Sequence, residues 1–468
     1  MPRFLWLTLL TFFLFQTACI TVGPDYSPPV HDAPRAWNNL DTSVVHSGQS
    51  DLSRWWQALE TPLLTELIDE ALRNNLDIRS AEARLQETRA RRASAFAGLF
   101  PTLGASASSR ASRSGSLNKE SYATSLDASW ELDFFGAVRR SVEAADANLE
   151  ASAAQLQAVQ VALAAETATN YVTVRTLQER LRIAHANLAS QAETLQLTQW
   201  RAQAGLTDAL DVVQAQANVE ETRARIPALE TSLAEARHNL DILLAREPGS
   251  LRAQLERPEA LPALPEALAV GIPAETLRQR PDIRVAERAL AAATAQVGVA
   301  EAARYPSFTL SGSLGLEALS LSSLSHSGAE TSSLLAGITA PLFQAGRLKA
   351  QAEAQDALRE QALIAYEQAV LTALQDVENA LVALAGAKKR AQALNTAEQA
   401  AAQAALWARQ RYLAGIIDFQ TVLDTERSLL SAQDSLASAR AETILALVRL
   451  YKGLGGGWDA QRSPNAKE

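Results

Sequence analysis

A ten-residue stretch early in the chain, LDIRSAEARL (76–85), returns as PDIRVAERAL (281–290) with six positions identical. The echo keeps its register. Phe100-Pro101 is answered by Tyr305-Pro306, and Gly136 by Gly346. RAQAGLTDALDVV (201–213) is answered by RYLAGIIDFQTVL (411–423), sharing the Arg, the Ala-Gly pair, an Asp and a Val. Offsets of 205 and then 210 residues are far longer than a solenoid repeat. The chain therefore reads as two copies of one large structural unit.

Each copy has the same inner order. In the first, helical spacing of Leu63, Leu64, Leu67, Ile68 and Leu72 predicts a helix over 62–74, and a longer one over about 77–98. From Tyr122 the pattern switches to alternation. Tyr122, Thr124, Leu126, Ala128, Trp130 and Leu132 share one face; Ala123, Ser125, Asp127, Ser129 and Glu131 share the other. A weaker partner strand lies at 102–112, with a hairpin loop expected over 113–120. In the second copy Phe308, Leu310, Leu314 and Leu316 alternate with small polar residues. A Ser/Leu-rich loop (317–330) separates them from Leu334, Ala336, Ile338 and Ala340.

Long helical stretches follow each hairpin. Residues 137–226 hold no Pro and one Gly, Gly205; residues 347–452 hold no Pro and two Gly, Gly386 and Gly415. Val370, Leu374, Val377, Leu381 and Leu384 step by 4, 3, 4, 3, a coiled-coil seam. Breaking each stretch at Ala204-Gly205 and Ala414-Gly415 gives a first helix of roughly seventy residues, about 100 Å long. A return helix of about forty residues follows. Pro227 falls inside the first return helix, where the second copy has Ala437, and predicts a local kink.

The organisation expected is a signal peptide (1–18), an extended N-terminal segment (19–61), a first repeat (62–247), a linker (248–275), a second repeat (276–453) and a C-terminal tail (454–468). The region 248–281 carries six prolines and reads as irregular.

The N-terminus has one Arg before an apolar run from Phe4 to Phe15. That run is too short to span a bilayer and has the shape of a signal peptide. No later stretch approaches 18 consecutive apolar residues, so no transmembrane helix is expected. Cys19 is the sole cysteine, which excludes disulfides and thiolate metal sites downstream. Thr17-Ala18-Cys19 resembles a bacterial lipoprotein cleavage site with Cys19 as the acylated residue; Gln16 stands where such sites usually carry Leu. A plain signal peptide with an incidental Cys is the alternative. The net charge of −9 disfavours a nucleic-acid surface. The five His show no metal-ligand pairing, and GLGGGW (453–458) lacks the Lys-Ser/Thr of a phosphate loop. No cofactor, metal site or enzyme activity is expected.

Strands of about ten residues with one apolar and one polar face match the pattern of membrane-spanning β-strands. In hydrocarbon every backbone group must be hydrogen-bonded, so a sheet cannot leave an edge open. Four strands are too few to close, since single-chain barrels begin at eight. Three copies of the chain would supply twelve. The alternative is a soluble pair of half-buried hairpins on a long coiled coil.

Six stretches carry a family resemblance: VGPDYSPP (22–29), RWWQALETPLLTELIDEALRNN (54–75), SWELDFFGAVRR (129–140), RPDIRVAERAL (280–290), YPSFTLSGSLG (305–315) and RLYKGLGGGW (449–458). In this order they resemble the bacterial outer-membrane efflux proteins, the TolC/OprM-like outer-membrane factors, in their NodT-type lipoprotein branch. The resemblance covers nearly the whole mature chain. It implies a mainly α fold with a membrane β-barrel: a homotrimer with a twelve-stranded barrel on a long α-helical barrel. It also implies a passive exit duct in the outer membrane, extending into the periplasm. Its partners would be a periplasmic adaptor (membrane fusion) protein and an inner-membrane pump, of the resistance-nodulation-division type. The cargo would be drugs or other small toxic compounds. The alternatives are a type I protein-secretion duct or a lipid-anchored periplasmic scaffold. By position, Asp424 matches a family aspartate lining the periplasmic constriction, and Tyr412 a tyrosine that ties neighbouring helix pairs. Gln420 and Thr421 stand where relatives have a constricting Leu and a second aspartate. Asp211 is the first-copy counterpart of Thr421. Ala204, Gly205, Ala414 and Gly415 form the turns that would meet the adaptor.

Overall fold

Helix accounts for most of the chain in a computed structural model, which describes residues 21–29, 34–39, 45–47, 52–115, 117–265 and 268–458. The segment read as a signal peptide, Cys19 and residues 459–468 lie outside the described residues. In order, the elements are β1 (Val45–Ser47), a short 3-10 turn, α1 (Pro62–Asn74), α2 (Leu76–Ala97), β2 (Thr102–Ser114), β3 (Leu117–Leu132), α3 (Ala137–Gln203) and α4 (Ala209–Leu243). Then come β4 (Leu268–Val270), α5 (Pro273–Gln279), α6 (Pro281–Ala302), β5 (Ser307–Ala318), a second 3-10 turn, β6 (Glu330–Thr339), α7 (Arg347–Leu413) and α8 (Phe419–Gly453). The long helices α3 and α7 have 67 residues each, and the return helices α4 and α8 have 35 each. The duplication is thus preserved to the residue in its helical half.

The chain forms two compact units, each gathering segments from both repeats: 1–31, 83–154 and 284–369 in one, 32–82, 155–283 and 370–468 in the other.

The first unit contains a four-stranded antiparallel sheet in the order β2-β3-β5-β6. Its register puts Leu103 beside Ala128, Leu126 beside Leu314, Trp130 beside Leu310, and Phe308 beside Ile338. These residues share one face, and Leu103, Leu126, Leu314, Leu334 and Ile338 on it are all exposed. The opposite face pairs Ser106 with Ser125, Asp127 with Ser313, and Ser129 with Ser311. The expected hairpin loop at 113–120 is much shorter: the ladder continues to Ser114↔Leu117, and Gly115 turns the chain at φ +64°. Polar residues there keep the strand because ladder hydrogen bonds, rather than burial, hold a sheet beyond an apolar zone. Among the described residues β2 and β6 each have a single strand neighbour, so the sheet ends in two open edges.

Below the strands an aromatic group closes the unit, with Phe134 against Phe308 and Phe135 against Tyr305, both at 4.7 Å between ring centroids. The N-terminal segment is strapped there. Val22 donates its N–H to Phe135 O (3.1 Å). The buried Arg140 donates to Val22 O (3.2 Å) and to Asp25 Oδ1 (2.6 Å). Gly23, at φ +90°, lies so close to Gly298 that a Cβ on it would stand 2.4 Å from Gly298 Cα.

In the second unit Val370, Ala373, Val377, Ala380, Leu381 and Leu384 of α7 are buried, close to the expected seam. An 18-residue window of α7 reaches a mean hydropathy of 1.2, long and apolar enough by composition to cross a bilayer. Helix α4 continues through Pro227. The proline-rich linker is more ordered than its composition suggests. It contributes β4, parallel to β1, and α5, which starts on Pro273, where a missing N–H costs nothing. Asp241, fully buried at the end of α4, organises the turn after it. Its carboxylate accepts from Gly249 N (2.6 Å), Ser250 Oγ (2.8 Å) and Leu251 N (2.9 Å). Asp241→Ala would remove the acceptor these three donors share and is expected to cost about 1–3 kcal/mol, read as a lowered Tm of the purified protein.

Candidate functional site: the helical turns and gate

The two turns have one design. At the end of α3, Leu206 N–H reaches Arg201 O (2.9 Å) and Gly205 N–H reaches Ala202 O (3.0 Å). At the end of α7, Ile416 N–H reaches Arg411 O (2.9 Å) and Gly415 N–H reaches Tyr412 O (2.9 Å). Both glycines sit at φ +71°. This is the Schellman closure, which satisfies the last helical carbonyls and needs a left-handed residue. Ala204 and Ala414 precede these glycines and are exposed. The aspartate shared by the two copies is a cap: Asp208 accepts from Leu210 N (3.4 Å) and Asp418 from Thr421 N (2.9 Å). Leu206 and Ile416, which follow the glycines, remain exposed with Leu210, Val213, Trp200 and Leu413 nearby in sequence. Each turn therefore presents apolar side chains rather than burying them.

The helix pairs are tied at this end by arginines. Arg201 Nη1 donates to Tyr412 O (2.9 Å), and its guanidinium lies 4.6 Å from the Tyr412 ring centroid. A cation there meets the negative end of α7. Arg409 bonds Glu193 Oε2 (2.7 Å).

Tyr412 is buried with Ala215, Ala408, Phe419, Val422 and Leu423, its ring 5.5 Å from that of Phe419. Within this chain its contacts join α7 to the first helix pair through the ring, and among the described residues its hydroxyl makes no hydrogen bond. Asp424 is exposed on α8, where Gln420 Nε2, also exposed, donates to its Oδ1 (3.1 Å). Thr421 is engaged in the Asp418 cap through both its N–H and its hydroxyl, and so does not extend an Asp424 site. Asp211 accepts from the Thr207 hydroxyl in the first turn of α4, where a carboxylate meets the positive helix end.

A buried carboxyl that the sequence reading passed over lies two residues beyond Asp424. Glu426 accepts from Thr194 Oγ1 (2.8 Å) and is approached by Asn218 Nδ2 (3.5 Å). Burial pushes its pKa above the usual carboxylate range, while the Thr194 hydrogen bond and Arg409 pull it down. The signal was present: Phe419, Val422, Leu423, Glu426 and Leu430 lie on one helical stripe, and Glu is its one charged member.

These features agree with the comparisons. A model of the outer membrane efflux protein family matches twice, over residues 67–246 and 272–456, one match in each repeat. Nodulation protein T of Rhizobium leguminosarum bv. trifolii is 32% identical over 463 residues, covering 98% of both chains. The pyoverdine export outer membrane protein OpmQ of Pseudomonas aeruginosa is 35% identical over 475 residues, covering 97% of this chain and 98% of its own. Among solved structures, the outer-membrane channel OprN superposes with a TM-score of 0.89 at 39% identity, over 93% of this chain and 99% of its own. The open state of the MtrE channel of Neisseria gonorrhoeae gives 0.81 at 32%, over 94% and 99%. Fold and turns define a channel protein whose known assembly is a trimeric barrel. The chain belongs to the outer membrane efflux protein family, and it is an exit duct for efflux in the outer membrane.

Proposed function

We propose that three copies of this chain close one twelve-stranded barrel and form the duct of a tripartite pump. A periplasmic adaptor would dock at the turns, and an inner-membrane pump of the resistance-nodulation-division type would supply energy. The observation that carries this reading is the sheet: an exposed apolar face together with open edges on β2 and β6. The alternation of strand directions lets β6 of one copy accept β2 of the next as an antiparallel neighbour. Closure then satisfies every edge group, as hydrocarbon demands.

Small molecules are the proposed cargo, because relatives carry the names pyoverdine export, solvent efflux and toluene efflux proteins. The duct moves cargo without chemistry of its own. The proposed lipid anchor is Cys19, three residues before the Val22 strap at the foot of the sheet. A related chain, SilC of Salmonella typhimurium, is named a probable outer membrane lipoprotein. The turn residues Ala204, Gly205, Ala414 and Gly415 present the adaptor-facing surface, supported by the exposed Leu206 and Ile416 beside them.

The proposed gate lies at α8. Asp424 projects from its first turns, with Gln420 as its direct partner. Threefold symmetry would repeat it into a carboxylate ring, which concentrates cations and repels anions. Tyr412 and Asp211 support the gate from behind rather than line it. Asp424→Ala is expected to raise single-channel conductance several-fold in planar bilayers and to weaken cation preference. Unchanged conductance and selectivity would remove Asp424 from the gate.

A further inference from the structure

A stripe of buried polar side chains runs along α3 at its turn-proximal end: Asn187, Gln191, Thr194 and Thr198. Asn218 and Thr222 of α4 are also buried, and Glu426 of α8 completes the group. The antiparallel packing of α3 on α8 pairs Asn187 Nδ2 with Gln433 Oε1 (2.8 Å) and Thr194 with Glu426. Further from the turns, Arg180 bonds Asp434 (2.6 Å).

This stripe belongs to one repeat alone. The positions equivalent to Asn187, Gln191, Thr194 and Thr198 in α7 are Ala397, Ala401, Ala404 and Ala408. Of these alanines only Ala408 is buried, and Ala397 and Ala404 are exposed, so this face of α7 carries no equivalent buried polar stripe. The α3–α8 contact, by contrast, loses its hydrogen bonds if the helices part and gains hydration instead. It is also incompletely satisfied. Gln191 is buried with neither of its side-chain polar atoms hydrogen-bonded, a cost that entering water would relieve. A contact with that balance is suited to exist in two arrangements.

We infer that Glu426 is a proton-dependent latch that positions α8, and with it Asp424, in the closed state of the duct. The inference rests on the placement of the gate at Asp424. Burial against α3 and α4 favours the protonated carboxyl in the closed state. The charged groups facing it are few. Arg409 from α7 is bonded to Glu193 of α3. Arg427, its neighbour on α8, is engaged by Asn218 Oδ1 (3.2 Å) and lies 4.0 Å from Glu221 of α4. Neither arginine is within ion-pair distance of Glu426 among the described contacts. When α8 moves away from α3, the carboxyl is hydrated and its pKa returns to the ordinary value.

The sign follows. A carboxyl whose pKa is raised in the closed state stabilises that state fully below the ordinary carboxylate pKa. The stabilisation is lost as pH rises through the raised value. Each pH unit in that window changes the closed-to-open ratio by up to about tenfold per latch. Rising pH therefore opens the duct.

The test is conductance of the purified full-length protein in planar bilayers across about pH 4 to 8, the range spanning ordinary and raised carboxyl values. Wild type is expected to step to higher conductance with rising pH. Glu426→Gln should abolish the step and hold the low-conductance state throughout, since the amide cannot ionise. Thr194→Val removes the hydroxyl that favours the charged form, and should move the step to higher pH without abolishing it. A step retained in Glu426→Gln, an unmoved midpoint in Thr194→Val, or no step in wild type overturns the latch. Amide hydrogen exchange over 187–198, taken relative to 163–174 of the same helix, reads the latch without the gate. Relative protection should fall with rising pH in wild type and stay level in Glu426→Gln; equal profiles overturn the inference. If exchange follows this pattern while Asp424→Ala leaves conductance unchanged, the latch stands and the gate assignment fails.

Discussion

Leu314→Arg is expected to abolish assembly of the duct in the outer membrane. Leu314 is central to β5, pairs with Leu126 and Ser332, and is 66% exposed on the apolar face of the sheet. An arginine at the midplane of a membrane barrel costs about 2–4 kcal/mol on the lipid side. Three copies in one trimer multiply that cost, against a total stability of only about 5–15 kcal/mol for an ordinary domain. Ser313→Arg, one residue away, points to the other face, beside Asp127, where water and a carboxylate can receive it. Heat-resistant oligomer recovered from outer membranes is the measurement. Loss in Leu314→Arg with retention in Ser313→Arg is expected. Equal recovery of the two would mean that this face does not meet lipid.

Gly23→Ala is expected to free the N-terminal strap. At φ +90° any side chain strains the backbone by about 1–3 kcal/mol. The added carbon would also collide with Gly298 Cα at 2.4 Å, backbone against backbone, adding about 1–3 kcal/mol of overpacking. Nothing flexible lies between them to yield. The strap's hydrogen bonds from Arg140 to Val22 and Asp25 would be lost together. Limited proteolysis followed by mass spectrometry should show new cleavage within 21–29. Gly386→Ala is the control: it meets open space in the interior of α7 and should stabilise that helix by about 1 kcal/mol. An intact strap in Gly23→Ala would show that the Gly23–Gly298 approach is not what holds it.

Much of this molecule was legible because its signals are periodic. The long helices could be read from the absence of Pro and Gly over 137–203, and their ends from Ala204-Gly205 and Ala414-Gly415. Alternation located β3 and β5 for the same reason. Periodicity failed where something else holds the backbone. Arg113 to Glu120 look like loop, yet ladder hydrogen bonds carry Arg113, Ser114 and Leu117 to Glu120 as strand. The proline-rich linker looks irregular, yet Pro273 starts a helix and Asp241 pins the turn before it. Thr421 stands where the family resemblance expects an aspartate, but its hydroxyl and amide are committed to the Asp418 cap, which only geometry reveals. Glu426 was overlooked because its place on the apolar stripe shows that it is buried but not that Thr194 and Asn218 receive it.

The equal lengths of α3 and α7, and of α4 and α8, restrict how such a duct can change size. One residue inserted into α3 alone would advance its end by about 1.5 Å and turn it by about 100°. Thr194 would then face away from Glu426, and Arg201 away from Tyr412. Only matched insertions in rising and descending helices, in steps of about seven residues, keep both seams aligned. The chain thus behaves as a ruler graduated in heptads, and ducts of this type adapted to a wider or narrower periplasm should differ by whole graduations.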